Sequence, residues 1–180
     1  TSILVNAATT AEDDLLTDLI SAARMHVEDM TSRQLITATW EYYLDEWPRG
    51  NYIELPFGNL QSAGLAVSWK DTDGTETTLT LTTDYLIETN GAWVGRIVLP
   101  YAETWPSGTL YPSNPIKISF SCGWTTAALV PSPLKSAILL ICGDLYENRE
   151  GQTYGTNSSE YTDNKTVQRL IKSYRLWDQY

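Results

Sequence analysis

Histidine, cysteine and long apolar runs are all scarce in this chain, and each scarcity removes a class of function. Only His26 is a histidine, and it precedes apolar Val27 in a helical stretch with no cysteine or second histidine nearby. A zinc site or a histidine-based triad needs more ligands or partners than that. Cysteine occurs twice, at Cys122 and Cys142, and Cys142 sits in an apolar helical run where a free buried thiol is the expected state. The longest apolar run centres on Ile138 to Cys142, far short of the roughly 20 residues a spanning helix requires. No signal-like segment opens the chain, and Thr1 fits removal of an initiator methionine as it fits a trimmed chain. The expectation is a soluble protein made in a reducing cytoplasm, with no membrane association.

Motifs for chemistry are equally thin. No phosphate loop of the GxxxxGK type occurs, and Gly91 to Gly95 lacks the lysine that would make one. Asp71, Asp73 and Gly74 have a faint likeness to a calcium loop, but the remaining acidic ligands are missing at the required spacing, and a hairpin turn is the better reading. Glu41 and Asp45 would suit a glycosidase pair, yet any acidic chain offers such pairs by chance. No catalytic, metal-binding or cofactor-binding residue is expected, and no enzyme.

Charge is abundant in one sign. Asp and Glu number 22 against 12 Lys and Arg, for a net charge of −10. The imbalance lies in residues 1–100, with 15 acidic and 5 basic residues, whereas residues 101–180 hold 7 of each. Such a chain is unsuited to wrapping nucleic acid, which needs clustered cations to neutralise phosphate.

The pattern along the chain reads helix, long β region, helix, loop, helix. Thr10 and Asp13 make a weak capping-box-like start, after which Leu16, Leu19, Ile20, Ala23, Val27 and Met30 recur at helical spacing to near Ser32. From Gln34 to Trp124 the texture is β-branched and aromatic, with strands expected at Thr39–Leu44, Tyr52–Leu55, Leu65–Trp69 and Ile116–Ser121. Asp73-Gly74 should turn a hairpin between Val67–Lys70 and Thr77–Leu81. The fold class expected is α+β, a helical core of residues 1–33 and 129–180 carrying an inserted antiparallel β domain over 34–128.

Pro131 to Glu150 is the most informative stretch. Ser132 can cap a helix with Pro133 in its first turn, and Leu134, Ile138, Ile141 and Leu145 share one face while Leu139, Leu140 and Tyr146 project away from it. A helix apolar over so much of its circumference is either central to its own domain or pressed on another subunit. The polar stretch from Glu150 to Asn164 reads as a loop, and a last helix spans Asp163 to Tyr174. Its Lys165, Arg169 and Lys172 cluster opposite Val167, Leu170, Ile171 and Tyr174, as either an ordinary solvated face or a surface for an acidic partner. Leu176, Trp177 and Tyr180 then end the chain.

Seven Trp and eleven Tyr offer two readings. They can fill a β core or a subunit interface, or form the platform of a carbohydrate- or receptor-binding β module. Trp40, Trp47, Trp69, Trp93, Trp105 and Trp124 are spread over separate expected strands and loops, which favours the former.

The acidic first helix, the segment Leu35-Ile36-Thr37-Ala38-Thr39-Trp40-Glu41 and the closing Leu145-Tyr146-Glu147-Asn148-Arg149-Glu150, in that order, resemble tailed-phage head–tail connector proteins, the gp6-like adaptors. The likeness spans residues 9 to 176. It implies a structural protein of the virion neck that assembles in the host cytoplasm into a homo-oligomeric ring of twelve copies under the portal protein. Below the ring a stopper or tail-completion protein follows, and DNA is enclosed without sequence-specific binding. On this resemblance Leu139, Leu140, Tyr146, Lys165, Arg169 and Lys172 would meet neighbours. Leu176, Trp177 and Tyr180 would dock on the portal, and Glu12, Asp13, Asp14 and Asp18 would line the channel, where acidity repels a passing duplex. Loops at Asn90–Arg96 or Ala102–Pro112 would touch the next protein. The alternative remains the aromatic carbohydrate- or receptor-binding module.

Overall fold

The computed structural model describes residues 10–147 and 164–176, with side chains of the first helix from Asp13 onward. Among the described residues three α-helices and seven strands form an α+β fold, and the chain divides into two compact units, Thr1–Thr31 with Val130–Arg175 and Ser32–Leu129 with Leu176–Tyr180.

The first unit is helical. α1 (Thr10–Thr31) buries Ala23 and Val27 at i, i+4, and one turn on Thr31 is buried too, its hydroxyl donating back to the Val27 carbonyl at 2.7 Å. The opposite face carries exposed Asp14, Asp18, Met25 and Asp29. α2 (Ser132–Glu147) is the middle helix, packing on both α1 and α3. Its first N–H groups, those of Leu134 and Lys135, donate to the Pro131 carbonyl at 3.1 and 3.3 Å. Pro131 therefore takes the cap position expected of Ser132, which moves with Pro133 into the first turn. Leu134, Ala137 and Ile141 form the buried stripe, while Ile138 and Leu145 at its margin are half-buried. α3 (Lys165–Ile171) is shorter than expected because Lys172–Tyr174 tighten into a 3₁₀ turn. Asn164 caps it, accepting from the Thr166 N–H at 3.0 Å and donating to the Asp144 carboxylate of α2 at 3.2 Å.

The second unit is two packed antiparallel sheets. β1 (Ala38–Leu44), β7 (Ile116–Cys122), β3 (Leu60–Lys70) and β4 (Glu76–Thr78) lie side by side in that order, and β2 (Tyr52–Gly58), β6 (Val94–Val98) and β5 (Leu86–Glu88) make the other sheet. β7 shows the two-residue period most clearly: Ile116, Ile118, Phe120 and Cys122 are buried, and Lys117, Ser119 and Ser121 face outward. Register puts Val67 and Tyr42 on either side of Ile118, and Trp69 and Leu44 on either side of Ile116. Across the interior Ile53, Leu55 and Ile97 of the other sheet complete one hydrophobic core with Tyr85 and Trp105.

Two glycines are required by this geometry. Gly74 has φ +79° in the Asp71–Thr75 turn, where the Asp71 carboxylate accepts from the N–H groups of Asp73 and Thr75 at 3.0 and 2.9 Å. The predicted hairpin forms there, pairing Trp69 with Thr77, and the carboxylate that suggested calcium serves the turn. Gly95 on β6 faces β3, and a Cβ there would lie 2.6 Å from the Leu60 Cβ. The two strands connecting the unit to the rest of the chain are held together at its base. Ile36 bridges to Trp124, the Thr37 N–H donates to the Trp124 carbonyl at 3.1 Å, and the Trp124 N–H donates to the Leu35 carbonyl at 3.3 Å.

Candidate functional site

A protein that acts by assembly carries its function on its surface, so the informative groups are large apolar side chains left exposed and charges held in rows. On α2, Leu139 is 70% exposed and Leu140 and Tyr146 are each nearly two-fifths exposed. Leu139 and Tyr146 share a stripe with Lys135 and Cys142 at i, i+4, i+7 and i+11, while Leu140 lies about 100° further round the helix. The opposite stripe is the buried one, so tertiary packing in this chain uses only part of the apolar circumference. Cys142 is half-buried, and Cys122 is buried in the β unit.

The charged rows are separate. Asp13, Asp14 and Asp18 are exposed on α1, and the Glu12 side chain lies outside the described residues. Lys165 and Arg169 on α3 and Lys172 in the 3₁₀ turn after it are exposed while Val167 and Ile171 are buried, so the amphipathic reading of that helix matches its packing. Leu176 requires a correction. It is buried, at 8% exposure, and so is not available to a docking partner as the exposed tail required; Trp177 and Tyr180 lie outside the described residues.

In the β unit the outward face of the four-stranded sheet is polar. Thr39 and Ser121 hydroxyls lie 3.0 Å apart, Ser68 donates to Glu76 at 2.6 Å, and Lys117 approaches the same carboxylate at 3.5 Å. The Ser68 hydrogen bond, followed by the Lys117 charge, holds the Glu76 carboxyl below its ordinary pKa. Tyr43 donates to Glu41 at 2.6 Å, and that hydrogen bond raises the phenol pKa because ionisation would set two anions side by side. Arg96 pairs with Glu88 and sits 5.3 Å over the Tyr52 ring. An open cleft of about 430 Å³ lies where β1 and β2 diverge, lined by Tyr42, Leu44, Trp47, Arg49, Tyr52 and Glu54 among others.

Among the described residues the tryptophans do not form one platform. Trp105 is buried, stacks on Trp47 at 5.0 Å and donates to the Gly50 carbonyl at 2.8 Å, while Trp69 packs on the core and Trp40 meets Phe57. Trp93 is exposed elsewhere. Sequence reasoning missed β5 and β6, and it treated Asn90–Arg96 as a loop although Val94, Gly95 and Arg96 are strand residues. A glycine and an arginine interrupt the apolar signal there. The alternation that would have revealed the strand is Gly95 and Ile97 inward against Val94, Arg96 and Val98 outward. It also missed buried Arg33, whose guanidinium donates to the Ala92 carbonyl. Among the described residues no group of three or more His, Cys, Asp or Glu could hold a metal ion, and no helix is long and apolar enough to cross a membrane.

Comparison with known proteins gives a consistent result. The model of the phage gp6-like head-tail connector protein family matches residues 110–175, from the end of the β unit through α2 and α3. A search of curated proteins finds no match. Among solved structures, a chain of the virion of the native gene transfer agent particle is 21% identical, with TM-score 0.74 over 98% of this chain and 84% of that one. A chain from the neck of the empty particle, computed with C6 symmetry, is 23% identical with TM-score 0.73 over 98% and 83%. One from the neck of the native particle, computed with C12 symmetry, is 22% identical with TM-score 0.72 over 98% and 93%. The resemblance seen in the sequence, to the gp6-like head–tail connectors of tailed phages, is thus borne out by the family model over residues 110–175, and the fold of almost the whole chain is that of chains in gene transfer agent particles.

Proposed function

We infer that this protein is a structural head–tail connector of a tailed phage or phage-like particle, acting by assembly in the virion neck and not by catalysis. The observation that carries this reading is the conjunction of the family match over α2 and α3 with a shared fold covering 98% of the chain. The C6 and C12 symmetries of the related necks favour a ring, here taken as twelve copies seated on the portal protein above a stopper or tail-completion protein.

In that ring the exposed α2 residues Leu139, Leu140 and Tyr146 meet neighbouring copies. The row Lys165, Arg169 and Lys172 faces a carboxylate-bearing surface, for which the α1 row of a neighbour is the nearest chemical match. Asp13, Asp14 and Asp18, with Glu12, line the channel and keep DNA from adhering as it passes. Trp177 and Tyr180 supply the portal-facing tail. Each contact alone is weak, and a portal template that holds copies side by side raises their effective concentration, so a monomer in free solution is compatible with a ring on the particle.

Cryo-electron microscopy of the neck in particles made with and without this protein tests the reading. A ring of this chain between portal and tail, missing from the deficient particles, is the expected result. Density at fibre tips or on the capsid surface would overturn it in favour of the aromatic receptor-binding module.

A further inference from the structure

Between β5 and β6 the chain turns through Asn90-Gly91-Ala92-Trp93, and the Trp93 N–H closes the turn by donating to the Asn90 carbonyl at 3.1 Å. Asn90 stands at φ +51° and Gly91 at φ +58°, and asparagine is one of the few residues with a side chain that tolerates this left-handed backbone. The pair that suits the turn is also the pair most open to attack on itself, because glycine sets no side chain between its own nitrogen and the preceding carboxamide. Asn90 is the only asparagine of the chain followed by glycine. Both residues are exposed, and no atom outside the adjoining residues lies within 4 Å of where a Cβ on Gly91 would stand. The other described asparagines are protected. Asn51 precedes Tyr52 and Asn59 precedes buried Leu60, while the Asn164 side chain is engaged with both Thr166 and Asp144. Asn114 precedes Pro115, whose nitrogen carries no hydrogen to lose.

We propose that Asn90 is a self-modification site, where water replaces the side-chain amide and leaves aspartate or isoaspartate in the β5–β6 turn. Solvent base removes the Gly91 amide proton, and that nitrogen bonds to the Asn90 Cγ as the Cγ–Nδ2 bond breaks. Nδ2 leaves as ammonia with a proton from water, and a succinimide ring remains. Water then opens the ring at either carbonyl. Cleavage of the bond from the nitrogen to Cγ leaves aspartate, and cleavage of the bond from the nitrogen to the main-chain carbonyl carbon leaves isoaspartate, with the main chain rerouted through Cγ. No oxidant or second substrate enters. The structure sets both the pace and the result. Asn90 Nδ2 donates to the Val94 carbonyl at 2.9 Å, and this tether must break before Cγ can reach the Gly91 nitrogen, which slows the step about tenfold against an unfolded chain. After reaction, position 90 has a carboxylate and no side-chain donor, so the tether cannot re-form and an anion faces the Val94 carbonyl oxygen. In isoaspartate the carbonyl that closed the turn on Trp93 has itself become the free carboxylate. The Arg33 guanidinium still holds the Ala92 carbonyl, so the loosening is centred on Asn90, exposed Trp93 and Val94.

This chemistry belongs to the folded chain alone, so it stands or falls separately from the connector reading. The full chain is aged in mildly alkaline buffer and sampled by peptide mapping, with electron-transfer fragmentation to tell aspartate from isoaspartate. Conversion at Asn90 should outpace that at Asn51 and Asn59 by about tenfold or more. Unfolding in urea should speed it by about the same factor, since the Val94 tether is then gone. Gly91→Asp should slow it several-fold, because aspartate tolerates the left-handed backbone yet screens the nitrogen. In the aged chain, amide hydrogen exchange at Trp93 and Val94 should quicken in the modified fraction while β7 keeps its protection. Conversion at Asn90 no faster than at Asn51, an unaltered rate in urea or in Gly91→Asp, or unchanged exchange at Trp93 after modification would each overturn the proposal.

Discussion

Glu76 shows how a single exposed side chain reports on its sheet. Its carboxylate accepts from Ser68 at 2.6 Å and attracts Lys117 at 3.5 Å, and these two partners hold its pKa below the ordinary glutamate value. A lowered folded pKa means that the ionised form is favoured by folding, so the contribution is present above the unfolded pKa and is lost as pH falls through the folded one. Ser68→Ala removes the first-ranked cause, and an NMR titration of the Glu76 side chain should then show its pKa moving upward. An unmoved titration would place the cause with Lys117 alone. The phenol of Tyr85 works in the opposite sense: burial raises its pKa, and its hydroxyl stays protonated to donate to the Leu65 carbonyl at 3.2 Å. Neither interaction was legible in the sequence, because strand register brings Ser68, Glu76 and Lys117 together and core packing brings Tyr85 to Leu65, not spacing along the chain.

Among the elements, β6 gives the sharpest test of packing. Replacing a strand glycine by alanine ordinarily stabilises by about 0.5–1 kcal/mol, but at Gly95 the new Cβ would collide with the Leu60 Cβ and Cδ2 at 2.6 and 2.5 Å. Overpacking should win, and Gly95→Ala should lower the urea stability of the β unit by about 1–3 kcal/mol; a gain would mean that the sheets separate freely. α2 gives the corresponding test of surface. Leu139 is 70% exposed, so Leu139→Asp should leave the far-ultraviolet circular dichroism and melting temperature of the isolated chain nearly unchanged while abolishing rings in electron micrographs. Wholesale unfolding would show instead that Leu139 belongs to the core. Sequence reasoning located α1, α2 and α3 from their 3.6-residue period, β1, β2, β3 and β7 from their β-branched and aromatic runs, and β4 from the Asp73-Gly74 turn before it. β5 is three residues long, and β6 carries Gly95 and Arg96, so neither offers enough periods for a pattern to stand out. The stripe of Leu139 and Tyr146 could be read from spacing alone, whereas the burial of Leu176 depends on long-range packing that no local pattern records.

On the scale of the whole molecule, charge separates into an acidic row on α1 and a basic row on α3, and the proposed ring brings such rows from different copies together. Exposed ion pairs are screened when the Debye length falls from about 8 Å at physiological salt to about 3 Å at 1 M. Ring assembly followed by sedimentation should therefore weaken as salt rises, and Lys165→Glu with Arg169→Glu should weaken it at low salt. Assembly that strengthens with salt would assign the interface to the apolar residues of α2. The join at Leu35–Thr37 and Trp124 carries a consequence of another kind. Because the chain leaves for the β strands and returns from them through two segments hydrogen-bonded side by side, the 86 residues between Thr37 and Trp124 form a cassette whose two ends lie together. Recombination can exchange such a cassette without rethreading α1, α2 or α3. Selection is then free to renew what the particle joins to while the helical frame passes unaltered between lineages.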